Sequence, residues 1–140
     1  MEDSQNVSLV KKLFQFYAQA NIEGFMSLLH PDAVWLEPGD SEIPYAGTFN
    51  GITEIGRMVG ITAKNLKMIS FKALSFCEGG NMVTALGSNE AEVRNTGKQY
   101  KTEWVYAFTI AETKITRVQV YMDTQAIGNA FRGVETFEDD

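Results

Sequence analysis

The sequence predicts an α+β fold: a cone-shaped α+β barrel in which a curved antiparallel sheet carries three to four helices on its concave side. Three observations lead there. Apolar residues recur at helical spacing near both ends of the chain and around residue 55. After Leu66, four long segments rich in β-branched and aromatic residues follow one another. The connections between them are short, so consecutive segments pair antiparallel as a meander. Helices gathered first and a meander last pack helices on one face of the sheet, and long strands must twist and curl. A curled sheet roofed by helices has a hollow end, the default place for a ligand.

Each element has its own warrant. Leu9, Val10, Leu13, Phe14, Phe16, Tyr17 and Ala20 make an amphipathic helix over about residues 4–20, with Asp3 or Ser4 as cap. Asn21 ends it or caps a short second helix carrying Ile22, Phe25, Met26, Leu28 and Leu29. That helix stops near His30, because the residue before Pro31 is pushed out of the α region. Ala33–Glu37 is a strand with Ala33, Trp35 and Glu37 on one face. A loop of about a dozen residues follows Pro38-Gly39, long enough to be a functional rim. Gly51 opens a third helix bearing Ile52, Ile55, Met58 and Val59. The strands are Lys67–Cys77, Met82–Val93, Gln99–Ile110 and Lys114–Met122. Asp123 or Thr124 then caps a last helix with Ala126, Ile127, Ala130 and Phe131 as its apolar stripe.

Composition narrows the function. The 140 residues make a single domain, residues 1–134, with an acidic tail at 135–140. A net charge of −6 argues against nucleic acid and anionic membrane as partners. The one cysteine, Cys77, excludes an internal disulfide and fits the reducing cytoplasm. With a single histidine, His30, beside it, a structural zinc site is not expected, and no metal or other cofactor is called for. Nine Phe and five Tyr suit an apolar cavity as well as a packed core. The opening Met1-Glu-Asp-Ser-Gln-Asn is acidic and polar, unlike a secretion signal.

Several segments agree in order and spacing with a known group. They are the helix ending in Phe16-Tyr17, His30-Pro-Asp-Ala-Val-Trp-Leu-Glu-Pro38, Tyr45-Ala-Gly-Thr-Phe-Asn-Gly51, Thr102-Glu-Trp-Val-Tyr-Ala-Phe108, and Lys114-Ile-Thr-Arg-Val-Gln-Val-Tyr-Met-Asp123. In these the chain resembles the nuclear transport factor 2-like superfamily, and within it the SnoaL-like polyketide cyclases and the ketosteroid isomerases. The isomerase resemblance implies that Glu37 shuttles a proton and that Tyr17 donates to the forming enolate oxygen. The isomerases' third group, a protonated aspartate, has no match; Trp104 and Tyr106 occupy its region. The cyclase resemblance implies Asp123 as base. The superfamily's epoxide hydrolases use an Asp-Arg-Asp arrangement, and Glu90 and Glu92 fall where the arginine and first aspartate would stand. The resemblance also points to a homodimer.

The same residues can be read without the family. Beside Trp35 in an apolar hollow, the Glu37 carboxylate would be desolvated and raised toward neutrality, a usable base; facing water, it is only a strand-end residue. Tyr17 either donates to a ligand carbonyl or is a core tyrosine. Asp123 is a base or a helix cap, and the roles can coexist. Trp35, Tyr45, Trp104, Tyr106 and Tyr121 are candidate pocket-lining aromatics, with Glu90 a further candidate. Trp104, Tyr106 and Phe108 share one strand face and Glu103, Val105 and Ala107 the other; periodicity leaves open which is concave. The expected function is a cofactor-independent isomerase or cyclase that removes a proton next to a carbonyl of a small apolar or aromatic ligand. The rivals are a non-catalytic binding module and an epoxide hydrolase or dehydratase-like lyase. Apolar residues on both sheet faces predict a homodimer through the convex side.

Overall fold

The computed structural model describes residues 2–134, so the acidic segment 135–140 lies outside the described residues. The elements run α1 (Gln5–Ala18), α2 (Ile22–Ser27), β1 (Leu29–Glu37), β2 (Gly47–Asn50), α3 (Gly51–Asn65), β3 (Leu66–Gly79), β4 (Met82–Val93), β5 (Gln99–Ala111), β6 (Lys114–Met122) and α4 (Thr124–Phe131). Three of the four helix starts, those of α1, α2 and α4, are set by short polar side chains. Ser4 Oγ accepts from Val7 N at 3.1 Å, and Asn21 Oδ1 accepts from Gly24 N at 2.9 Å. Asp123 Oδ1 accepts from Ala126 N at 3.0 Å. No helix among the described residues is long and apolar enough to cross a membrane.

One curved sheet of order β2-β1-β6-β5-β4-β3 carries the four helices. Four of its pairs are antiparallel, as the meander requires. β1 and β6 run parallel, which the expectation of a purely antiparallel sheet missed. These two strands are far apart in sequence, so no hairpin dictates their direction. The short strand β2 lies inside the stretch expected to be loop, and β1 begins at Leu29, ahead of the expected Ala33. Register shifts in β3 at Met68/Ser70 and Ala73/Ser75 mark bulges, which bend a strand and deepen the curl.

Burial alternates almost perfectly along β4 and β5. Val83, Ala85, Asn89, Ala91, Tyr100, Thr102, Trp104, Tyr106 and Phe108 face the helices, which settles the concave face. Helix α1 lays Val10 and Leu13 on β3 and β4, while α3 buries Ile55 and Met58 toward β1. The wall beneath α1 is aromatic. Phe71 and Trp104 stack at 5.0 Å, and Phe14 stacks on Trp104 at 5.4 Å. Gly87 makes this possible, since a Cβ there would run into the Lys72 carbonyl oxygen and the Trp104 ring.

Candidate active site

β1 sets the site. Its inward residues Ala33 and Trp35 are buried, and the same alternation brings Glu37 inward at the strand's last position. Gly39, at φ +133, then turns the chain so that buried Ile43 and Tyr45 fold back under the sheet edge. Helix α1 lowers Phe14 and Tyr17 from above. Between them is a cavity of about 60 Å³. Its walls are chiefly apolar and aromatic, with Leu13, Phe14, Phe25, Phe71, Met58, Met68 and Met122 among them. Its polar groups are Glu37, Tyr17, Tyr45, Tyr100, Tyr106, Asn89 and Thr62. Tyr17, Val59, Thr62, Leu66, Met68 and Phe71 also line a surface groove that holds Arg94, beside the end of α1, α3 and β3.

Glu37 is the one acidic residue among the described residues lining the cavity. The residue as a whole is part-buried, while its carboxyl centre is surrounded by protein on nearly every side. Trp35 Nε1–H donates to Glu37 Oε1 at 2.8 Å, which fixes the carboxyl against the indole. Burial raises the carboxyl from 4.5 to about 7, against a smaller lowering by the Trp35 hydrogen bond. Tyr17 is pushed up to about 12, first by burial, then by the negative charge of Glu37 and by Tyr100. Burial also raises Tyr45, Tyr100 and Tyr106, with Glu37 adding to each. At neutral pH the cavity therefore holds one carboxyl poised between its two forms and four phenols that keep their protons. The carboxylate can take a proton, and the phenols can give hydrogen bonds to an oxygen that gains charge.

Of the residues singled out in the sequence, Glu37, Tyr17, Trp35, Tyr45 and Tyr106 come together here. The others do not. Asp123 is exposed, caps α4, and lies in an outer polar groove with Lys72, Lys101 and Glu103. It follows Met122, which does face the cavity, and the chain there turns out of the sheet into a helix. Glu90 sits on the outer face near Lys101, at 3.8 Å, because alternation in β4 sends Asn89 inward and Glu90 outward. Tyr121 is 56% exposed on the outer face for the same reason. Trp104 faces inward but is only 2% exposed. It packs against both Phe14 and Phe71 behind the cavity wall, so it is a packing residue. Tyr100 and Asn89 were missed. Tyr100 stands four positions before Trp104 on the same strand face, a period-2 signal that could have found it. No three His, Cys, Asp or Glu side chains among the described residues come together to hold a metal ion.

A family model described as SnoaL-like domain matches residues 10–118. No curated protein matches the sequence. Among solved structures, an NTF2-like protein from Burkholderia xenovorans LB400 is 26% identical, with a TM-score of 0.84 over 94% of this chain and 98% of that one. TerC, crystallised with polyporic acid, is 24% identical, with a TM-score of 0.83 over 92% and 99%. A presumed isomerase from Bacillus subtilis is 18% identical, with a TM-score of 0.79 over 95% and 96%. The last two likenesses speak for the cone-like α+β fold alone.

Proposed function

Since the chain belongs to the SnoaL-like domain family, we propose that it is a cofactor-independent isomerase or cyclase acting on a small apolar or aromatic carbonyl compound. One observation carries the reading: a carboxyl raised to about 7 is enclosed in an apolar cavity together with four phenols. A general base works best when its pKa lies near the working pH. Glu37 takes the proton from the carbon next to the carbonyl, the C–H electron pair becomes the new carbon–carbon double bond, and the carbonyl π pair moves onto oxygen. Tyr17 donates to the enolate oxygen so formed. Return of the proton to another carbon completes an isomerisation. Attack of the enolate carbon on a second carbonyl of the same molecule forms a carbon–carbon bond and an alkoxide, and the proton held by Glu37 passes to that alkoxide to complete a cyclisation. Trp35 positions the base by holding Oε1. Glu37 is favoured over Asp123 because only Glu37 reaches the cavity. A hydrolase reading loses support, since Glu90 and Glu92 alternate to the outer face, away from the cavity.

The test is exchange of α-hydrogens for deuterium in enolisable ketones dissolved in D2O. Glu37→Gln lowers the enzyme-dependent rate by about 100-fold or more, Tyr17→Phe by about tenfold, and Asp123→Asn has little effect. Exchange at the wild-type rate in Glu37→Gln refutes the mechanism. A ketone that binds wild-type protein without exchanging leaves a non-catalytic binding module.

The outer sheet face belongs to the same proposal as the surface of a homodimer. Leu86, Val105 and Tyr121 stand in one row across β4, β5 and β6, and Leu86 and Tyr121 are exposed. A second copy laid on this row would cover them.

A further inference from the structure

Three buried polar atoms among the described residues have no hydrogen-bond partner; Trp104 Nε1 lies behind the cavity, and the other two, Tyr45 Oη and Asn89 Oδ1, belong to residues of the cavity wall itself. Tyr45 is 3% exposed and Asn89 5%. They come from separate elements, the β1–β2 connection and β4, and both line the cavity that holds Glu37. Tyr100, from β5, stands beside both: its ionisation responds to the Tyr45 hydroxyl and to the Asn89 amide. The contact of Tyr45 with Tyr100 falls short of a regular hydrogen bond, so the Tyr45 oxygen stays unsatisfied. Asn89 spends Nδ2 on the sulfur of Met68, at 3.4 Å, a weak acceptor. A buried polar atom without a partner is costly, and a native fold that keeps two on one cavity wall calls for a group that satisfies them.

We propose that Tyr45, Tyr100 and Asn89 form a second polar subsite that binds a hydroxyl group of the ligand, so that the substrate carries a hydroxyl as well as the enolisable carbonyl. A hydroxyl suits this place better than a second carbonyl. It donates and accepts at once, and so serves the amide in either orientation while also meeting the Tyr45 hydroxyl. Phe14, Phe71 and Tyr106 offer ring faces and edges on the same wall. The cavity of about 60 Å³ is smaller than the ~150 Å³ that admits benzene in an apolar core. Even one ring therefore enters only as the unbranched Met58, Met68 and Met122 yield to it, and a second ring is excluded.

The subsite rests on the proposed function only for the placing of the carbonyl, and the probes separate the two. Acetophenone and 4-hydroxyacetophenone differ by one hydroxyl, and their binding is measured by calorimetry. The hydroxylated ketone binds wild-type protein about tenfold more tightly than acetophenone. Tyr45→Phe and Asn89→Leu each reduce that preference to about threefold or less, the affinity for acetophenone in the same variant serving as the reference. Tyr45→Phe deletes a single oxygen and so tests the subsite without a change in packing. In Glu37→Gln the preference persists. Equal affinity for the two ketones, a preference untouched by both subsite variants, or no binding of either ketone at millimolar concentration overturns the subsite. If the preference stands in wild type and its methyl hydrogens do not exchange, the base mechanism fails and the subsite does not.

Discussion

Removing the charge from Glu37 should make the protein more stable at alkaline pH while ending the proposed chemistry. The carboxyl rises from 4.5 to about 7 on folding. Between these values the folded state keeps a proton that the unfolded chain has lost. The folded state binds more protons, so stability falls as pH rises through this window, and above it the loss is complete. At 1.36 kcal/mol per pH unit, the interval is worth about 3 kcal/mol. Glu37→Gln keeps an oxygen to accept from Trp35 Nε1 and removes the titration. Every other carboxylate is common to both proteins, so the difference between their unfolding free energies isolates Glu37. Measured by denaturant titration from pH 4 to pH 8.5, that difference grows in favour of Glu37→Gln by about 3 kcal/mol. In melting temperature the divergence is roughly 9 °C for a chain of this size. Stability curves that stay parallel across the range would mean that Glu37 is solvated in the folded state, and the proposed base would lose its reason for being poised near neutrality.

Other expectations are sharp enough to fail. Trp35→Phe removes the donor to Glu37 Oε1, so the carboxyl titrates above about 7; a carboxyl carbon resonance that titrates at the same pH in both proteins refutes the positioning role. Gly87→Ala drives a methyl group into the Lys72 carbonyl and the Trp104 ring; it costs about 2–3 kcal/mol and disturbs the near-ultraviolet dichroism of the aromatic stack. Glu112 and Thr113 turn the β5–β6 hairpin with φ of 52° and 66°, a geometry that Asn-Gly adopts more readily; the double replacement stabilises by about 1 kcal/mol in thermal unfolding. Tyr121→Glu or Leu86→Glu places a charge on the outer row and converts a homodimer to monomer in sedimentation at micromolar concentration; a wild-type monomer contradicts the dimer outright.

Strand periodicity made most of the fold legible. It paired Trp35 with Glu37 and Trp104 with Tyr106 and Phe108, and each set does share a face. It could not say which face is concave, because aromatic and aliphatic residues occur on both sides of the meander. The direction of β1 was out of reach for a related reason. Its partner β6 is some eighty residues away, and no local turn records whether the two run together or opposed. Nor does any sequence signal mark Asn89 as special, since a polar residue in a strand ordinarily reads as solvent-facing. Only its place two positions from Gly87 and Ala91, both buried, shows that it points inward.

The contrast between Glu37 and Asp123 shows what separates a base from a cap. Both are acids at the end of a strand, and both lie next to the cavity in sequence. Glu37 occupies the last strand position on the inward phase, so the pleat carries its carboxyl under the helices and the indole two residues earlier holds it there. Asp123 stands one step beyond the strand, where the chain has left the pleat and begun a helix. Its carboxyl turns back to the backbone, accepting from Ala126 N, and its own N–H is held by Thr102 Oγ1 at 2.9 Å. A one-residue change of phase therefore decides between a desolvated carboxyl near neutrality and an exposed one satisfied by a helix end. That phase depends on where each strand stops, which in a sequence is the least visible boundary of all.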